Sequence, residues 1–287
     1  MNNILQSNKS ITYPQKTFYH DNITINNNRF KDCIISSGTF RGLRDENQDK
    51  IKIENYNNKK ICILGDGHGG SYLNFNTINK LIKKFYNGFD FSKKEKVEEL
   101  FLHIDKKFYG DYFYKNNNRE GTTITIIEIS NNYVVGINLG DSNYIIGKEK
   151  SYIKGQIHKP NSNKEIMRIL KNNNKIINVG NEFRIDGKLS LSRSIGDFSY
   201  KLVNNRYNGR DSCVSCIPSH KMYINDYKYI LLASDGFINF VDTDKIDIYI
   251  QLHLHIAISK IVASLIKIAI DNDSHDNISI ILIKKII

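Results

Sequence analysis

A carboxylate and an imidazole stand two residues apart in a glycine-rich turn, Asp66-Gly67-His68-Gly69-Gly70, directly after the apolar run Ile61-Cys62-Ile63-Leu64. Glycines let the backbone approach an ion that larger residues would block, so a strand ending this way can present a metal ligand and a proton-transfer group together. Two other apolar runs carry the same signature. Leu231-Leu232-Ala233 runs into Ser234-Asp235-Gly236, and His275-Asp276-Asn277 leads into Ile278-Ser279-Ile280-Ile281. Three aspartates at strand ends could meet around one cation.

The stretch Arg41-Gly42-Leu43-Arg44-Asp45-Glu46-Asn47-Gln48-Asp49 crowds guanidinium, carboxamide and carboxylate groups into one turn. Taken alone it is a charged loop. Beside the three aspartates it supplies the missing parts of a phosphate site, since an arginine fork matches two phosphate oxygens and further oxygen ligands complete a second ion. Aspartate, glutamine and backbone carbonyl oxygens suit Mg²⁺ or Mn²⁺ better than zinc, because hard ions prefer oxygen in octahedral arrangement.

The elements that must position these groups follow from the hydrophobic periodicity. Cys33 to Phe40 reads as a strand, and Lys50 to Glu54 with Lys60 to Leu64 reads as a hairpin across Asn57-Asn58. Helices are expected over Leu73 to Tyr86 and Lys94 to Tyr109, where apolar residues recur at three- and four-residue spacing. Strands follow at Thr122 to Glu128, Tyr133 to Leu139 and Tyr144 to Gly147, then a helix at Lys164 to Leu170 and strands near Phe183 to Ile185 and Lys188 to Leu191. Tyr227 to Ala233 reads as a buried strand, Lys260 to Ile270 as a helix and Asn277 to Lys284 as the closing strand. Strand runs with helices inserted in pairs imply an α+β sandwich of antiparallel sheets rather than a wound parallel sheet. Residues 1–30, polar and rich in asparagine, read as an N-terminal arm or one loosely attached strand, and residues 31–287 as a single domain.

Composition narrows the class. An apolar share of 40% with 17 Tyr and 14 Phe supports a folded core, and no apolar run approaches the length of a membrane-spanning helix. The first eight residues lack the charged start and apolar stretch of a secretory signal, and four cysteines do not make a disulfide framework, so an intracellular location, cytoplasmic or nuclear, is expected. Cys213-Val214-Ser215-Cys216 has the spacing of zinc or redox sites but no second pair accompanies it, and His253 and His255 do not share a helix face. The net charge of +11 favours acidic partners, yet the lysines are scattered, so no nucleic-acid partner is expected.

Two further stretches complete an ordered series: Gly121-Thr122-Thr123 with Gly140-Asp141-Ser142, and Ser192-Arg193-Ser194-Ile195-Gly196-Asp197. From residue 33 to residue 287 the chain resembles the metal-dependent type 2C serine/threonine protein phosphatases, matching the arginine-bearing opening turn and the DGHGG, GTT, GDS, SRxxGD, SDG and terminal DN motifs in order. The resemblance implies a central sandwich of two antiparallel β-sheets flanked by α-helices, with two Mn²⁺ or Mg²⁺ ions in a cleft at one end. Asp66, Asp235 and Asp276 would hold one ion, and Asp66 with the Gly67 carbonyl would bridge to the other. Arg44 would grip the phosphate, Asp49 would orient metal-bound water, and His68 would protonate the departing seryl or threonyl oxygen after in-line attack by a metal-bridging hydroxide. Arg193 and Asp197 are read as structural, an internal ion pair. Phe198 to Pro218 matches the position of the family's flap, which helps select substrate.

Two positions depart from the family pattern. Gln48 stands where the family often has a glutamate serving the second ion, which removes one negative charge from that site. Asn239 stands where many relatives carry an aspartate that helps a third, weaker metal, while Asp141 retains the other half of that site. The expected partners are phosphoserine- and phosphothreonine-bearing proteins met in signalling, without a membrane, by a chain acting as a monomer. The competing reading, motivated by Gln48 and Asn239, is a catalytically impaired relative that binds phosphoproteins as a regulatory module.

Overall fold

The turns that carry Asp235 and Asp276 lie side by side because their strands pair antiparallel, with Ala233 opposite Ile280. The computed structural model describes residues 23–112 and 119–286, so residues 1–22 of the arm expected over residues 1–30 lie outside the described residues. Strands β1 (Thr24–Arg29), β2 (Cys33–Phe40), β3 (Asp49–Tyr56) and β4 (Lys59–His68) come first, then helices α1 (Tyr72–Tyr86) and α2 (Lys94–Tyr112). Strands β5 (Gly121–Thr122), β6 (Ile124–Ile129), β7 (Tyr133–Leu139), β8 (Asn143–Gly147) and β9 (Tyr152–Lys154) lead to α3 (Asn163–Lys171). The hairpin β10 (Ile176–Val179) and β11 (Glu182–Ile185) follows, then the short strands β12 (Ile195–Gly196), β13 (Leu202–Val203) and β14 (Arg206–Tyr207). The chain closes with β15 (Ser219–Ile224), β16 (Tyr229–Ala233), α4 (Asp235–Ile238), α5 (Thr243–His253), α6 (Ile258–Asp271) and β17 (Ile278–Lys285).

Two sheets form the centre. One runs β1-β2-β17-β16-β8-β9, and the other runs β12-β5-β4-β6-β7-β15 with β3 paired to β4. Alternation along the strands explains why their sequences are nearly continuous in apolar residues: successive side chains point to opposite faces, and here both faces are buried. In β4, Cys62 and Leu64 face the other sheet, where they meet Ile230 and Leu232 of β16 and Ile281 and Ile283 of β17. Ile61 and Ile63 of the same strand face outward onto Leu81, Phe85 and Phe101 of α1 and α2. On the far side, Tyr229 and Leu231 of β16 pack on Ile261, Val262 and Leu265 of α6. The result is an α+β sandwich of four layers, helices outside and antiparallel sheets inside.

Local chemistry fixes several boundaries. The hairpin between β3 and β4 turns on Asn57 and Asn58 at φ of 49° and 59°, the left-handed pair that a two-residue turn of this twist needs and that asparagine tolerates. Asp242 caps α5 by accepting from the backbone N–H groups of Asp244 and Lys245. Residues 24–29 of the expected arm form edge strand β1, paired along its length with β2. The strand expected over Lys188 to Leu191 is not one: the chain turns at Asp186-Gly187, and Leu189 makes a single isolated bridge to Ile185. The unexpected strand β15 is an edge strand pairing with β7, and its exposed Met222 and Ile224 hide the usual alternation.

Candidate active site

Strand register gathers the motifs at one end of the sandwich. Asp49 sits opposite Asp66, Gly67 opposite Thr122, and Asn143, just after the turn bearing Asp141, opposite Ala233. Carboxylate oxygens of Asp66, Asp141 and Asp235 consequently lie within 4.8 Å of one another, with Asp141 buried and the other two half-buried. The threonines of the Gly121-Thr122-Thr123 stretch hold this arrangement. Thr123 N–H and Thr122 Oγ1 both donate to the Asp66 carbonyl, at 2.9 and 3.1 Å, and Thr123 Oγ1 lies 2.9 Å from Ser142 Oγ. Glycine is required after Asp235, since a Cβ at Gly236 would come within 2.1 Å of the Asn277 carbonyl oxygen.

The electrostatics of this cluster ask for a cation. Burial and then the neighbouring carboxylates, Asp235 first, push the Asp66 carboxyl well above its ordinary range. The same two causes raise Asp235 to about 7, Asp141 and then Asp276 acting most strongly among the carboxylates. Burial raises Asp49 to about 6, and its Oδ2 is buried without a hydrogen-bond partner. Oxygen donors at this density that are costly to ionise without a counter-charge fit a hard divalent cation. Asp276 is engaged elsewhere: its Oδ2 accepts from Arg44 Nη2 at 2.7 Å, and the Arg44 side chain is 61% exposed at the mouth of the cleft. Lys159 Nζ reaches Asp141 at 2.7 Å, a partner that sequence reasoning did not provide.

The opening turn is anchored to the terminal motif by Asn277. Its Nδ2 donates to the carbonyls of Arg41 and Glu46 at 2.6 and 3.1 Å, and its Oδ1 accepts from Gln48 N–H at 2.9 Å. The Gln48 carboxamide is directed to Glu46, with Nε2 donating to Oε1 at 2.6 Å. The Gln48 carbonyl receives Asn74 Nδ2 of α1 and lies 3.0 Å from where a Gly67 Cβ would stand, a tight approach that a larger residue would have to push back. Asn239 ends α4, with its N–H donating to the Asp235 carbonyl at 3.0 Å.

His68 closes β4 opposite Gly121, and its Nε2 lies 2.9 Å from both carboxylate oxygens of Asp197. Burial opposes the imidazolium charge, but the Asp197 carboxylate outweighs it and the His68 pKa is raised. Asp197 is itself fixed: Ser194 Oγ donates to its Oδ2 at 2.6 Å, and its N–H donates to the Glu120 carbonyl at 2.8 Å. The expected Arg193–Asp197 ion pair does not form. Arg193 Nη2 instead pairs with buried Glu165 at 2.6 Å, which also receives Arg168 at 2.7 Å, while Asp197 turns in the left-handed conformation towards His68. Behind it, buried Asp105 accepts from Gly196 N–H and Lys201 Nζ, both at 2.8 Å, and from Tyr207 Oη at 2.7 Å.

These groups surround a cleft of about 590 Å³ whose lining includes Arg44, Gln48, Asp66, Gly67, His68, Asp141, Asp235 and Asp276. Its outer wall is Glu182, Arg184 and Lys188 to Leu191, from β11 and the turn after it. Of the flap expected at Phe198 to Pro218, no residue lines this cleft itself; Ser199 and Tyr200 border the groove beside it, and Phe198, Cys213, Val214 and Cys216 are buried. Cys213 and Cys216 are free thiols, and burial pushes Cys213 up to about 12. His253 stacks on Tyr249 at 4.3 Å between ring centres, away from the cleft.

Sandwich and cleft together define an α+β fold with an acidic site at one end, and a family match gives its class, the protein phosphatases. The family model described as Protein phosphatase 2C matches residues 34–278, and the chain belongs to that family. It is 24% identical over 318 aligned positions to "Probable protein phosphatase 2C 42" of Oryza sativa subsp. japonica, covering 94% of this chain and 90% of that protein. It is 27% identical to "Protein phosphatase 1A" of Bos taurus, covering 76% of this chain and 60% of that protein. Among solved structures, a phosphatase from Toxoplasma gondii superposes with a TM-score of 0.79 at 21% identity, covering 91% of this chain and 95% of that one.

Proposed function

We propose that the chain hydrolyses phosphoserine and phosphothreonine esters in proteins, with two Mn²⁺ or Mg²⁺ ions as cofactors. The observation that carries the reading is the convergence of Asp66, Asp141 and Asp235 within 4.8 Å in the cleft that Arg44 and His68 also line. Asp66, Asp235 and Asp276, with the Gly67 carbonyl, Asp49, Gln48 and Asp141 around them, would hold the ions. Bound there, divalent cations would supply an activated water and neutralise charge on the phosphoryl oxygens.

The chain's own groups supply the rest. Arg44, exposed at the mouth, binds two phosphoryl oxygens through its fork and sets the phosphorus against the cleft floor. His68 gives its proton to the departing seryl or threonyl oxygen, an alkoxide that leaves poorly without one. Asp197 favours the charged ring and fixes its orientation for that transfer. Gln48, a neutral donor, would hold the second ion less tightly than a carboxylate while still offering it an oxygen. The four free, buried thiols support action in a reducing, intracellular compartment.

The test is phosphate release from a phosphothreonine peptide and from the matching phosphotyrosine peptide, with Mn²⁺ and with chelator. Turnover of the first, dependent on metal, is expected. No release by folded protein at millimolar Mn²⁺ would leave the binding-module reading in its place.

A further inference from the structure

The cleft does not end at the metal-ligand carboxylates. A second groove of about 510 Å³ adjoins it, lined by Arg119, Asp186, Lys188, Leu189, Asp197 and Tyr200, and Lys188 and Leu189 line both. Asp197 touches His68 from one side and this groove from the other. A peptide whose phosphorylated side chain reaches the cleft therefore has a continuous path past Lys188 into the groove.

The charges of the groove are unequal in what they already hold. Asp186 accepts from Asn174 Nδ2 at 2.7 Å and from the Lys175 N–H at 2.8 Å, and Asp197 is engaged by His68 and Ser194. On the adjoining wall Glu182 is paired with Arg184 at 2.6 Å. Among the described residues, the exposed Lys188 ammonium at the junction makes no ion pair or hydrogen bond. Its backbone is nevertheless held: the Lys188 N–H donates to the Ile185 carbonyl at 2.9 Å and its carbonyl receives Arg184 Nη1 at 2.8 Å. A cation on a held backbone, beside half-buried Leu189 and Tyr200, complements an anionic group on an extended peptide.

We propose that Lys188 is a specificity-determining residue, and that the groove it borders seats an acidic side chain or a second phosphate flanking the phosphorylated residue of the substrate. This rests on the phosphatase reading above and names the class of substrate the site prefers. An exposed charge pair in such a position supports a preference of about fivefold.

The experiment uses phosphothreonine peptides carrying alanine, glutamate or phosphoserine at each position within three residues of the phosphothreonine, on either side. It compares kcat/KM for wild type, Lys188→Glu and Lys188→Arg with Mn²⁺, each variant judged by its own acidic-to-alanine ratio. Expected is a ratio of about five for wild type at one or two flanking positions, kept in Lys188→Arg and lost or inverted in Lys188→Glu, with the change in KM rather than kcat. A gain from glutamate with a larger one from the more highly charged phosphoserine assigns recognition to charge, and a gain from phosphoserine with none from glutamate assigns it to a second phosphate. A wild-type ratio of one at every position, or the same ratio in wild type and Lys188→Glu, overturns the proposal. The ratio is also read by fluorescence anisotropy of labelled peptides in chelator, so absence of all turnover defeats the phosphatase reading while binding still decides the role of Lys188.

Discussion

Both carboxylate oxygens of Asp197 lie 2.9 Å from Nε2 of His68, across 129 positions of sequence. The contact joins the DGHGG and SRxxGD motifs. It raises the His68 pKa, so Asp197→Asn is expected to lower it and move the alkaline limb of the kcat profile to lower pH. Phosphothreonine peptide turnover should fall about a hundredfold, and turnover of an aryl phosphate, whose leaving group needs little protonation, should fall far less. Steady-state kinetics on the two substrates across pH checks both.

Gly121 is the position on which that contact depends sterically. A Cβ there would lie 2.3 Å from Asp197 Oδ2 and 2.5 Å from His68 Nε2. Gly121→Ala must therefore displace one partner. Activity on the peptide should drop about as far as in Asp197→Asn, with the far-ultraviolet circular dichroism spectrum unchanged, because β5 ends at the cleft rather than in the core.

The raised carboxylates set the stability of the metal-free protein. Asp235, at about 7 in the fold against an unfolded value near 3.8, binds more protons folded than unfolded, so its contribution is present at low pH and is lost as pH rises towards and through 7. His68, also raised, acts in the same direction. Between pH 5.5 and 7.5 the metal-free protein should lose about 2 kcal/mol, a fall in Tm of about 5 °C. Thermal melts in chelator, repeated with Mn²⁺, should show the loss and its recovery.

Glu165 predicts a structural effect away from the chemistry. It is fully buried between Arg168 and Arg193, with both guanidinium groups within 2.7 Å. Glu165→Ala leaves two cations without their carboxylate and should cost about 3–5 kcal/mol, lowering Tm by about 10 °C. Differential scanning calorimetry measures it.

Much of this is legible from the chain because the turns that carry the candidate site residues are local: Asp66 to Gly70, Asp235-Gly236 and Asp276-Asn277 each announce a strand end in a few residues. The long strands were equally plain, since burial on both faces leaves unbroken apolar runs such as Tyr229 to Ala233. What escaped were pairings between distant side chains. Nothing near Arg193 in sequence says that it prefers Glu165, 28 positions back, to Asp197, four positions on. The pairing of Asp197 with His68 depends on the left-handed backbone of Asp197, which no residue near it in sequence announces. Short strands such as β12 to β14 carry too few residues for a period, and the wall at Glu182 to Leu191 is half-exposed and polar, which hides its place beside the cleft.

If Asp66 and Asp235, with Asp141 and Asp276 beside them, hold the ions that make this cleft hydrolytic, Asp235→Asn tests it most directly. Phosphate release from a phosphothreonine peptide is measured with millimolar Mn²⁺ for wild type and variant, each shown folded by its melting curve. Metal-dependent release by wild type that chelator abolishes, with a loss of at least about a hundredfold in the variant, is the predicted result. Equal rates for wild type and Asp235→Asn would contradict it.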